Sequence, residues 1–376
     1  PGHMLGDRVT VAGLGLLVAL LLWIQVSAMV SGGRSAALNL LVATTGITFA
    51  GARRITRGHS WAVPAAVMTG AAGVLLVAGD VFGNYGSPLG YANATGAFCV
   101  LGAAAALMVA VRRPGGLARA VALPAIAGFA TVAVFGGSKA AAASIVLVGL
   151  AWPAQRGDGT VRTTILAGAA LAVFALVAST TVGALSLGSR GTTSIGDRLI
   201  DETLSVNRVV LWHEALSMLR ARPLAGVGPG RFAELSPTAL RDGDLRWAHH
   251  EFLELGAETG GVGLMLGVAL AAWVFIRLWH GERDAGTAVA ALAIAALLSH
   301  TTVDYVLHFP PVTLAAAALA GAGAPPVRPS RPVGRSARRS GGGAVHREAG
   351  VDATLPVDAL RPDEVRNGLA QNPEVE

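Results

Sequence analysis

The sequence predicts an all-helical, polytopic membrane protein of about ten spans, and three observations carry that reading. Hydrophobic residues fill 53% of the 376 positions and charged residues only 14%, with a mean hydropathy of +0.56. A soluble domain carries about 25% charged residues. Charge-free runs recur along the chain, most of them near the ~20 residues a helix needs to cross the hydrocarbon core. Arginines gather in alternate gaps between these runs, as expected for loops on one side of a membrane. The same distribution argues against nucleic acid as the partner of a chain with net charge +6.

Taken in order, Pro1 to His3 read as an expression scar ahead of Met4, and residues 4–185 hold about seven spans. The first, Val9 to Gly33, lacks a small-residue cleavage site and reads as a retained helix. Ala36–Ala52, His59–Gly79, Val81–Val111, Ala120–Ser138, Ala140–Gln155 and Thr163–Ser189 follow. Arg53, Arg54 and Arg57, then Arg112, Arg113 and Arg119, then Arg156 and Arg162, and later Arg277 and Arg283, mark the gaps expected to be cytoplasmic. The opposite gaps are sparse in charge, with Arg34 in one and Lys139 in another. Both termini are then cytoplasmic, and residues 186–248 form a loop outside the cytoplasmic membrane.

That loop is expected to be partly helical. Asp201 to Arg220 has a helical period, with acids at its start and a base at its end, matching the helix dipole. Arg208, Trp212, Ala215 and Leu219 share one face, so Arg208 points toward whatever that face packs on. Arg222-Pro223 ends the helix, and Gly226-Val-Gly-Pro-Gly230 reads as turns; no strand precedes it, as a phosphate loop would require. Residues 249–324 supply about three more spans, through Thr259–Ile276, Ala285–Val303 and Tyr305–Val327. From 325 to 376 the chain turns rich in Pro, Gly, Ser and Arg and reads as a disordered cytoplasmic tail. Its first arginines suit a topology anchor or anionic lipid headgroups. The single cysteine, Cys99, rules out an intrachain disulfide.

Chemistry concentrates between Trp247 and Gly263, where two histidines and three glutamates meet the start of a span. Ionisable groups are costly at the edge of hydrocarbon and mark function there. His249 is expected in the first turn of the entering helix, where the dipole favours its neutral, proton-accepting form and attracts phosphate oxygens. A structural helix-start histidine is the competing reading. Gly256, Gly260, Gly263 and Gly267 form a small-residue stripe for close helix approach. Lys139, the one lysine among 29 basic residues, sits at an outer helix end, where a lone cation reaches headgroups or holds a phosphate. His300, Asp304 and His308 recur every four residues at another outer end, with Asp304 placed to hydrogen-bond a histidine, meet substrate or cap the interface. Two metal patterns fail. His250-Glu251-Phe-Leu-Glu254 lacks the second histidine of a zinc motif, and Asp242-Gly-Asp244 lacks a nucleotide-binding domain around it.

These residues together resemble the O-antigen ligase and polymerase superfamily of bacterial membrane proteins. Arg208-Val-Val-Leu-Trp212 followed by Pro223-Leu-Ala-Gly-Val-Gly is similar to its Arg-x-x-x-Trp helix and Pro-x-x-Gly-x-Gly run. Ala248-His-His-Glu-Phe-Leu-Glu254 through Gly260 looks like its His-Asn-x-x-Leu-Glu segment, with His250 at the asparagine position. Gly137-Ser-Lys139-Ala is similar to its Ser-Arg at an outer helix end, with lysine for arginine. The likeness covers about Phe135 to Ala320. It implies a GT-C-type fold and an inverting glycosyltransferase, without cofactor or metal. The enzyme would move a glycan from a polyprenyl-pyrophosphate donor to a glycan, lipid or protein acceptor hydroxyl on the outer face of the cytoplasmic membrane. By that resemblance His249 is the base and Arg208 and Lys139 hold the pyrophosphate; His250, Glu254 and Asp304 are further substrate-binding candidates. A ligase and a polymerase are not separable on this basis. The rival class is a transporter or flippase of lipid-linked sugars, which should carry ionisable residues at mid-membrane depth and broken spans in matching halves. A GT-C enzyme using a monosaccharide phosphate is a further alternative, but Ser31 to Ser35 lacks the acid such enzymes show in their first outer loop.

Overall fold

The computed structural model describes residues 2–82, 87–113, 115–153, 157–185, 206–281 and 284–324. The expected tail, Pro1 of the expected scar and residues 186–205 of the expected outer loop lie outside the described residues. Among the described residues every regular element is helical. In order these are α1 (Gly2–Ser31), α2 (Ala36–Gly58), α3 (Ala62–Phe82), α4 (Ala92–Arg112), α5 (Gly116–Phe135), α6 (Lys139–Gly149) and α7 (Asp158–Leu185). Then come α8 (Val206–Ala221), short turns α9 (Phe232–Leu235) and α10 (Pro237–Arg241), α11 (Glu251–Trp279), α12 (Ala285–Thr301) and α13 (Pro310–Gly323).

Packing follows the logic of a helix bundle in lipid, where small residues let backbones approach and large apolar ones face outward. Helix α4 is the axis: every residue from Ala94 to Ala110 is buried, and most are Ala, Gly or Val. It packs on α3, α5, α6, α12 and α13. Helix α12 is also buried along most of its length by an alanine-rich surface. The bulky side chains point away, with Leu76, Leu117, Phe135, Val173 and Phe174 all well exposed. The first and last helices interlock, since α1 packs on α11 and α2 on α13.

Among the described residues, five helices are long and apolar enough to cross a membrane: Arg8–Ser31, Ala92–Arg112, Gly116–Phe135, Asp158–Val182 and Glu251–Trp279. This makes the protein a helical membrane protein, but it does not reproduce the expected count of ten. Several charge-free runs are not one helix. The run beginning at Ala140 leaves its helix at Gly149, and the run ending at Val303 leaves its helix at Thr301. The last begins as a 3-10 turn over Val306–His308 before α13 starts at Pro310. Helix α2 is long enough but carries Arg53, Arg54 and Arg57 and several threonines.

One break positions the site. Within α11, Gly260 adopts φ 72°, which glycine alone takes without strain. The carbonyls freed there are all met. Val227 N donates to Ala257 O at 2.9 Å, Gly228 N to Glu258 O at 2.9 Å, and Trp23 Nε1 to Thr259 O at 2.7 Å. In return Gly261 N donates to Pro223 O at 2.7 Å. The glycine run after Pro223 is thus a set of turns, with positive φ at Gly226, Gly228 and Gly230, docked on the kink. The expected small-residue stripe therefore admits a loop at Gly260 rather than a straight helix: a Cβ there would lie 1.9 Å from Leu224 O.

Candidate active site around His249 and Asp304

Four segments converge beside the start of α11. Helix α8 presents Arg208 and, one turn later, Trp212. Arg208 Nη2 lies 3.1 Å from Asp304 Oδ2, and Trp212 Nε1 donates to the carbonyl of His249 at 3.1 Å. The two residues of the Arg-x-x-x-Trp face therefore grip the two halves of one unit, because His249 Nδ1 itself lies 3.3 Å from Asp304 Oδ1. Asp304 is fully buried and saturated with donors. Tyr91 Oη stands 2.8 Å from both its oxygens, Asn93 Nδ2 donates to Oδ2, and Tyr305 N donates to Oδ1 at 2.8 Å. Burial alone would raise the Asp304 carboxyl; the His249 hydrogen bond and the Arg208 charge outweigh it and hold it below the usual carboxylate range. The same carboxylate, added to burial, pushes the Tyr91 phenol far up, so Tyr91 stays a donor.

His249 is the one non-glycine residue with positive φ, 52°, among the described residues. Such a conformation costs about 1–3 kcal/mol and persists where surroundings over-determine it. Here Trp212 holds its carbonyl, Asp304 its Nδ1, and the Tyr305 ring meets its imidazole edge-on at 4.7 Å. Both ring nitrogens are buried and neither makes an aligned hydrogen bond among the described residues; Nδ1 faces Asp304 as an ion-pair neighbour, and Nε2 faces no such group. The expectation that His249 occupies the helix's first turn is corrected: α11 begins at Glu251, with His250 as its N-cap. The charge bearing on His249 is Asp304, not the helix terminus.

His250 is fully engaged. Its Nδ1 accepts from Leu253 N at 3.3 Å, so Nε2 carries the proton, 3.0 Å from Ser179 Oγ. Ser179 in turn donates to Ala175 O at 2.8 Å. Burial keeps the ring neutral, with its pKa lowered to about 3. Asparagine is a preferred N-cap, so the histidine here performs a cap's work with a ring nitrogen.

A second layer joins the loop of Asp304 to the loop of His249. Glu254 accepts from Ala248 N at 2.7 Å, and Glu251 accepts from Leu307 N at 2.7 Å. His308 lies between them, Nδ1 at 3.5 Å from Glu251 and Nε2 at 3.4 Å from Glu254. Burial would lower the His308 pKa, but the two carboxylates raise it well above the ordinary value. The four-residue spacing of His300, Asp304 and His308 does not stack them, because α12 ends at Thr301 and the chain turns. Glu254 and His250, expected at substrate, are committed to backbone and side-chain partners within the protein.

Residues 124–268 match the family model described as O-antigen ligase. Over that stretch the chain is similar to the O-antigen ligase family. No curated protein matches it. The O-antigen ligase stretch takes in Lys139, Arg208, Trp212, the glycine turns, His249, His250 and Glu254, while Tyr91, Asn93 and Asp304 lie outside it.

Lys139 opens α6 and is exposed. Ser138 beside it caps the helix by accepting from Ala141 N and packs against Gly96, one turn into α4. Lys139 therefore stands at the same end of the bundle as Tyr91 and Asn93, without being in contact with Asp304 or His249. Among the described residues no group of three His, Cys, Asp or Glu has metal-binding geometry. Asp242 accepts from Asp244 N at 3.0 Å and so shapes a turn. Sequence reasoning missed Tyr91, Asn93 and Ser179. Tyr91 and Asn93 had a signal, being polar groups at the head of an otherwise apolar helix.

Proposed function

We propose that the protein is an inverting, metal-independent glycosyltransferase of the GT-C type, moving a glycan from a polyprenyl-pyrophosphate donor to an acceptor hydroxyl at the outer face of the cytoplasmic membrane. The observation that carries this reading is the His249–Asp304 pair, buried, oriented from three sides, with Nε2 left for a proton. His249 accepts the proton of the acceptor hydroxyl as that oxygen attacks the anomeric carbon and the bond to the pyrophosphate breaks. Asp304 stabilises the imidazolium that forms and holds the tautomer. Arg208 places one nitrogen on Asp304, and its remaining N–H groups are available to the pyrophosphate. Lys139, at the same end, supplies a second cation to the leaving group. His250, Glu254 and Glu251 hold the frame rather than the substrate.

The test is transfer from a polyprenyl-pyrophosphate glycan by purified protein, with and without chelator. His249→Ala should lower transfer by about 10²–10⁴-fold, the usual contribution of a positioned base, while His250→Asn keeps most of it by preserving the cap. Chelator should leave both unchanged. Intact transfer in His249→Ala would defeat the assignment. Absence of transfer together with movement of lipid-linked sugar across vesicles would mean a transporter.

A further inference from the structure

An apolar groove of about 670 Å³ runs between α1, α2, α11, α12 and α13. Leu17, Leu41, Val42, Phe49, Leu270 and Val274 are typical of its wall. Ionisable groups line it only near its two ends. Glu251, Glu254, Glu258 and His308 line it toward the His249–Asp304 site, and Arg53, Arg54 and Arg57 line it at the far end. At 1.5 Å per residue the arginines begin about 25 Å along α2 from Ala36. Between its two charged ends the groove presents apolar side chains along that length. It suits flexible hydrocarbon.

Charge selects the occupant. Arg54 and Arg57 are exposed, and Arg53 Nε donates to Ala324 O at 3.3 Å beside them. Guanidinium groups bind phosphate by charge-assisted hydrogen bonds. The opposite end holds Glu251, Glu254 and Glu258 with His308 paired between the first two, and so lacks a comparable cluster of arginines. We propose that this groove is a binding site for an anionic phospholipid of the leaflet opposite the His249–Asp304 site, its phosphate on Arg54 and Arg57 and its acyl chain along Leu17, Thr45 and Phe49. Half the hydrocarbon core is about 15 Å, and Thr45 lies about 12 Å up the helix from Arg53, so one acyl chain reaches past it. A polyprenyl pyrophosphate bound for transfer would place its head at the other end, toward Arg208, and is the competing occupant that the experiment separates.

Native mass spectrometry of the purified full chain tests this with phosphatidylglycerol, phosphatidylcholine of the same chains, and polyprenyl pyrophosphate. Phosphatidylglycerol should be retained about tenfold or more over phosphatidylcholine, the scale of two basic residues at an anionic lipid surface. Arg54→Gln with Arg57→Gln should abolish that preference, and Thr45→Trp should abolish retention by filling the groove. Both variants are compared with wild type by elution and thermal unfolding; if the tryptophan variant misfolds, the arginine pair decides. Equal retention of the two phospholipids, an unchanged preference in the arginine variant, or displacement of phosphatidylglycerol by polyprenyl pyrophosphate would each overturn the proposal. The readout is binding alone, so it stands apart from transferase activity.

Discussion

At the scale of single residues, the site is organised by one carboxylate. Asp304 receives Arg208, His249, Tyr91, Asn93 and its own chain's next amide. Asp304→Asn keeps the shape but removes the charge opposite an imidazolium, so kcat should fall by about 10²-fold or more, with KM for the donor less affected. Tyr91→Phe removes one donor of several and should cost less than Asp304→Asn, about tenfold to a hundredfold at most, a hydrogen bond to a charged group contributing roughly 1.5–3 kcal/mol. Steady-state kinetics on the two variants would expose an error if their order were reversed. His249 was legible in the sequence as a candidate; its separation from His250 was not. Both are polar and adjacent, and only the contacts of Nδ1 and Nε2 tell the cap from the proposed base.

At the scale of elements, stability is tied to pH through two histidines with opposite signs. His250, depressed to about 3, contributes stability that is fully present above its unfolded value of about 6.5 and lost as pH falls toward about 3. His308, raised well above 6.5, contributes stability fully present below that value and lost as pH rises through its folded pKa. Thermal unfolding across pH should therefore show His250→Asn flattening the acid limb and His308→Gln the alkaline one; a shared effect on both limbs would contradict the assignment. The kink gives a further prediction. Gly260→Ala forces a side chain into Leu224 O at positive φ and should destabilise by about 2 kcal/mol or more, read as lost monodisperse protein. The glycines were visible in sequence, but their partner was not. A stripe of small residues says that something approaches closely, and only the paired carbonyls and amides reveal that it is the loop after Pro223.

At the scale of the whole molecule, α4 is packed inside by small side chains while large ones face outward. Ala104→Leu, at a position with no exposure, should destabilise by about 1–3 kcal/mol through overpacking. Phe174→Ala, 70% exposed on α7, should change detergent-solubilised stability little. Equal losses in the two would contradict this inside-out arrangement. Composition and charge-free runs by themselves determined that the chain is helical and membrane-embedded, because hydrocarbon admits no unsatisfied backbone and the residue types declare the solvent. The Arg208–Trp212 and His249 segments carried the likeness to the O-antigen ligases for the same reason: residue type and spacing are local. Where individual helices end was decided by the tertiary structure, since apolar runs turn and break where caps, prolines and freed carbonyls find partners. So was the joining of Asp304 to His249, residues brought together across 55 positions by helices whose packing no local pattern encodes.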